Sequence, residues 1–90
     1  MMYPYMKLPD NTEIVHSEIL DGNKVFVHFE RPAENGFDSV RFELPSYDKV
    51  FWEGNFTETE LDFFVELLKH HAHLLYKYAR KGGQKFFNIP

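Results

Sequence analysis

Phe56-Thr57-Glu58-Thr59-Glu60-Leu61 is the stretch on which the fold class turns. Thr57 and Glu60 stand at the spacing of a capping box, in which the threonine hydroxyl takes the N–H of the third helical residue and that residue's carboxylate reaches back to the threonine N–H. Phe56 before the cap and Leu61 four residues into the helix occupy the positions of a hydrophobic staple. Gly82-Gly83 supplies the stop. Between these signals Leu61, Phe64, Val65, Leu68, Ala72, Leu75 and Ala79 recur at the helical period, so one long amphipathic helix is predicted over 57–81 with this stripe turned to a core.

Upstream of the helix the period changes from 3.6 to 2. Glu13 to Leu20 is rich in β-branched residues, Asp21-Gly22-Asn23 has turn chemistry, and Lys24 to Arg31 alternates with Val25, Val27 and Phe29 on one face. A hairpin follows. A three-residue loop pairs Leu20 with Lys24 and sets Ile19 opposite Val25, Ser17 opposite Val27 and Val15 opposite Phe29. That register places His16 opposite His28 on the outer face, with Glu18, Phe26 and Glu30; a two-residue loop separates the histidines. Asp38 to Leu44 alternates again, with Val40, Phe42 and Leu44 inward, and Lys49 to Trp52 reads as a short fourth strand. Residues 1–12, with Pro4, Pro9 and Asp10-Asn11-Thr12, read as an N-terminal arm. The expectation is therefore α+β in a single domain: arm 1–12, a three- to four-stranded antiparallel sheet over 13–56, the helix packed on one face of it, and a tail over 82–90.

Composition narrows the function classes. The 90 residues contain ten Phe, five Tyr and one Trp, large side chains from which a chain this short can build a core unaided, so no cofactor is expected. Without cysteine there is no disulfide framework, thiolate metal site or cysteine nucleophile. The first six residues lack the pattern of a secretory signal, and no apolar run approaches a membrane span, which predicts a cytoplasmic location and no membrane partner. Residues 1–76 hold six basic and fourteen acidic residues, whereas 77–90 hold only the basic Lys77, Arg80, Lys81 and Lys85. Such a tip can meet phosphate or an acidic partner, but it also complements the carbonyl end of the helix.

Candidate chemistry is sparse. Glu66, His70 and His73 fall at i, i+4 and i+7 on one helix face and are metal-ligand candidates, at a spacing equally common on a solvated face. His71 lies towards the apolar arc, where a hydrogen-bonded, partly buried role is expected. Ser17, Ser39 and Ser46 have no glycine-rich elbow or evident base to activate them, and phosphate and dinucleotide loops are missing, so no catalytic residue is assigned.

The helix carries a second apolar stripe, Phe63, Leu67, Leu74 and Tyr78. A helix from Glu58 to Arg80 is about 34 Å long and a seven-residue strand about 23 Å, so part of the helix overhangs the sheet. The expectation is a homodimer that buries this stripe as an interaction surface; the competing cover is the N-terminal arm together with the Phe86-Phe87 tail.

Val27-His28-Phe29-Glu30, Arg41-Phe42-Glu43-Leu44, the 56–61 stretch and His73-Leu74-Leu75, in that order, resemble small bacterial strand-strand-strand-helix proteins of unknown function, some of them encoded near toxin-antitoxin modules. The resemblance spans roughly residues 25–80. It implies a regulatory or interaction role and transfers no catalytic residue. The resulting expectation is a noncatalytic protein-interaction or regulatory module; the alternatives are a nucleic-acid-associated regulator using the basic tip and a histidine-based metal-binding protein.

Overall fold

The structure is a computed structural model that describes residues 1–83. The tail 84–90, with Lys85 of the basic tip and Phe86-Phe87, lies outside the described residues. Five strands, β1 (Tyr3–Lys7), β2 (Glu13–His16), β3 (Val25–Ala33), β4 (Gly36–Leu44) and β5 (Asp48–Glu53), precede one helix, α1 (Glu58–Lys81). The strands form an antiparallel meander in which each pairs with its predecessor, in the order β1-β2-β3-β4-β5. The fold class is α+β as the sequence reads, with one strand more than the upper expectation.

That strand is the arm. Tyr3–Lys7 pairs with β2, from Tyr3 opposite His16 to Lys7 opposite Glu13. Pro4 has no N–H to give to a ladder, which argued against a strand, but an edge strand tolerates proline, and β1 is the edge. Its ladder breaks at Tyr5, between Pro4 and Met6.

The helix covers one face of the sheet. Thr57 caps it as read: its hydroxyl accepts the Glu60 N–H at 3.1 Å, and the Glu60 carboxylate accepts the Thr57 N–H at 2.9 Å. Gly82 ends it in the left-handed conformation at φ 76°. Leu61, Phe64, Leu68, Leu75 and Ala79 are buried against Ile14, Val25, Val27, Phe29, Val40, Phe42 and Leu44, while Val65 and Ala72 pack at the margin. At the centre the Phe64 ring stacks on Phe29 at 4.2 Å between centroids, with Phe56 edge-on to it at 5.1 Å. Among the described residues no helix is long and apolar enough to cross a membrane.

The inner face ends in charge beside the start of α1. Arg31 of β3 lies opposite Asp38 of β4, donates to it at 2.9 and 3.2 Å, donates to Glu60 at 2.6 Å, and rests its guanidinium 4.4 Å above the Phe56 ring. Asp38 also accepts the Asn55 N–H at 2.8 Å. The two ends of the described chain meet: Gly83 is buried, and a Cβ there would lie 3.0–3.1 Å from atoms of the Tyr3 ring.

Candidate functional site

The β2–β3 hairpin decides which side chains reach the outer, helix-free face. Leu20 bridges Lys24 across the turn as expected. From there the register slips, because Ser17, Glu18 and Ile19 stand against only Val25 and Phe26, and His16 pairs with Val27 rather than His28. Ser17 stabilises this bulge: its N–H donates to the Phe26 carbonyl at 2.9 Å, its hydroxyl accepts the Phe26 N–H at 2.9 Å, and it donates to the Glu18 carbonyl at 2.7 Å. One extra residue turns every side chain before it to the other face. The expected His16–His28 pair is therefore overturned. His16 is fully buried on the helix side, with Nδ1 2.8 Å from the Ser17 carbonyl and its ring against those of Tyr3 and Tyr5, while Val15 takes the place opposite His28.

Strands β3, β4 and β5 build the outer face from alternate residues. Phe26, His28 and Glu30 point outward from β3, and Ser39, Arg41 and Glu43 lie beside them on β4. On β5, Asp48 faces Glu43, Phe51 faces Arg41 and Glu53 faces Ser39, with Val50 as the extra residue of a second bulge. Phe26, His28, Arg41, Val50 and Phe51 surround an open depression of about 570 Å³, with Glu43, Glu53 and Ser39 on its rim.

Within it His28 lies between two charges. Its Nε2 is 3.1 Å from a Glu30 carboxylate oxygen, and its Nδ1 accepts from the Arg41 Nε–H at 3.4 Å. The neutral tautomer protonated on Nε2 satisfies both contacts. Burial lowers the His28 pKa below its ordinary 6.5 and the Arg41 charge adds to this, against the pull of Glu30. Both ring nitrogens are thus engaged, which ties the imidazole into the sheet rather than leaving a lone pair for proton transfer. The Arg41 guanidinium also lies 6.0 Å from the Phe26 ring centroid, and the His28 and Phe51 rings are 6.4 Å apart.

Strand β5 carries exposed apolar side chains on both of its faces. Val50, Phe51 and Trp52 are 47%, 45% and 39% exposed. Trp52, opposite Val40, points to the helix side of the sheet beyond the cover of α1, and Lys49 Nζ lies 4.1 Å over its ring. Sequence reading found this strand but not its role. The signal was present: three consecutive large apolar residues on a strand cannot all face one core, so at least one must be presented outward.

Glu66, His70 and His73 are all exposed; His70 Nδ1 bonds the Glu66 carbonyl at 2.8 Å and Lys69 approaches the Glu66 carboxylate at 3.5 Å. Among the described residues no three His, Cys, Asp or Glu side chains are grouped to hold a metal ion. His71 is half-buried and hydrogen-bonds the Tyr5 hydroxyl through Nδ1. Of the second stripe, Phe63 is 55% exposed, Leu67 packs against the core margin, Leu74 is half-buried and Tyr78 lies beside Tyr5, ring centroids 6.1 Å apart. The arm thus reaches part of the stripe as a strand. Lys77, Arg80 and Lys81 are exposed at the end of α1, with no carboxylate within 4 Å among the described residues. Comparison with protein-family models, curated proteins and solved structures gives no match for this chain.

Proposed function

We propose that this protein is a noncatalytic interaction module whose docking surface is the outer face of the sheet together with its β5 edge. The observation that carries the reading is the run Val50-Phe51-Trp52, exposed on an edge strand. An edge strand with consecutive exposed apolar residues invites pairing with another chain, and natural sheets suppress such edges unless they are used. The engaged nitrogens of His28 favour binding over catalysis. The carboxylates of Glu43 and Glu53 at the depression, and of Asp48 opposite Glu43, favour a polypeptide over nucleic acid on this face.

The test is selection of binders from a random-peptide library displayed on phage, using the full chain as bait. Selected peptides are expected to lose binding to the Phe51→Glu protein, whose fold is checked by circular dichroism. Failure to select any binder, or selection of peptides indifferent to Phe51→Glu, rejects the reading.

A further inference from the structure

We infer that β5 accepts an extended peptide segment of another protein, added alongside it as a sixth strand, with the pattern basic–x–apolar–x–basic; this rests on the docking reading above. The outer row of β5 runs Asp48, then Val50 and Phe51 together at the bulge, then Glu53. Neither Asp48 nor Glu53 has a cation within 4 Å among the described residues, since Lys49 instead lies over Trp52. The edge therefore shows an apolar centre with an unpaired carboxylate at each end. β4 shows how a neighbouring strand spans this row: Glu43, Arg41 and Ser39, two residues apart, face Asp48, Phe51 and Glu53. A strand on the far side with the same spacing places a basic residue at each acid and an apolar one at the centre. Because the pattern is symmetric, it fits in either chain direction.

A second copy of this chain is a poorer occupant. Two-fold antiparallel pairing of β5 that keeps each side chain on its own face sets Val50 opposite Phe51, Lys49 opposite Trp52 and Asp48 opposite Glu53. That brings together like charges at both ends, which is destabilising for directly opposed residues. Placing Trp52 on the axis instead sets Phe51 against Glu53. The charge pattern thus favours a foreign basic strand over a second copy of the chain, which is specificity by repulsion.

The probe is an acetylated seven-residue peptide with valine at its centre, lysine two positions to either side and threonine elsewhere, added to the full chain and followed by amide chemical shifts. Shifts are expected on β5 and the adjoining part of β4, with a Kd of about 1 mM or tighter. Replacing both lysines by glutamate should weaken binding about tenfold or more, and raising salt should weaken the lysine peptide. The double variant Asp48→Lys with Glu53→Lys should reverse the preference, and N-methylation of alternate peptide bonds should abolish binding. Equal affinity for the two peptides, no reversal by the double variant, or shifts away from β5 overturns the inference. If the lysine peptide fails while library-selected binders still depend on Phe51, this inference falls and the docking reading stands; if those binders ignore Phe51, both fall.

Discussion

At the scale of single residues, the tightest constraints lie around Asp38. Gly54 has φ +99°, and a Cβ there would lie 2.6 Å from the Asp38 carboxylate oxygen and 2.7 Å from its Cα. Gly54→Ala must therefore displace backbone as well as strain it, and should cost more than about 2 kcal/mol by denaturant unfolding. The Asn55 N–H, and after it Arg31, hold the Asp38 carboxyl below its ordinary 3.8; Arg31, and after it the Thr57 N–H, holds Glu60 below 4.5. Both folded pKa values are depressed, so their stabilisation is present above the ordinary values and lost as pH falls through the folded ones. Arg31→Leu should lower the denaturation midpoint near neutral pH by removing the cation shared by Asp38 and Glu60, and the difference from the parent should shrink as pH is lowered below about 4. A difference independent of pH would show that Arg31 acts through its packing on Phe56 alone. His28 gives a separate limb: its folded pKa is also depressed, so stability is full above about 6.5 and declines below it as the unfolded chain takes up the proton first. The midpoint of denaturation should fall between about pH 7.5 and 5.5, and less so in His28→Gln. None of these couplings shows in the sequence, because Arg31, Asp38 and Glu60 meet only once β3, β4 and the start of α1 are assembled.

Among the elements, α1 is the most legible and the β2–β3 hairpin the least. Thr57→Ala should cost about 1 kcal/mol through loss of the cap, and Leu68→Ala about 2–5 kcal/mol, since Leu68 is fully buried. A neutral Leu68→Ala in urea unfolding would contradict the assigned core face. These features could be read from sequence because a capping box and a helical stripe are local: all their partners lie within one or two turns. The inward faces of β3 and β4 were legible for the same reason, as alternation needs only near neighbours. The register of β2 was not, although its turn was paired correctly, because the bulge depends on the Ser17 hydroxyl accepting the N–H of Phe26 nine residues away. The edge strand β1 was hidden by Pro4, whose cost depends on whether a sixth neighbour would need its N–H. The outer-face site was half visible, since Phe26 and His28 were placed outward correctly, but that Phe51 completes the surface follows from the β4–β5 pairing alone.

For the whole molecule, the question that sequence left open was what covers the second stripe of α1. Tyr5, Met6 and Leu8 pack against the core margin, and Tyr5 reaches both His71 and Tyr78. Deleting residues 1–8 should therefore lower the melting temperature and leave β2 as a bare edge beside an uncovered stripe, with a rise in mass by light scattering at micromolar concentration. An unchanged melting temperature and mass would show that β1 contributes no cover, and a dimeric mass for the intact chain would then support the homodimer expectation for the stripe. The contact of Tyr3 with Gly83 carries a different consequence. It brings the first strand and the end of the helix together, and with them the two ends of the described chain. The order of elements along the chain is then separable from their order in space. A circular permutant joined through residues 84–90 and a short added linker, and opened between Asp21 and Gly22 in an exposed turn, keeps every strand pairing and leaves β5 untouched. Its new termini would emerge at the β2–β3 turn, so a reporter could be fused there while the Tyr3–Gly83 seam is closed covalently.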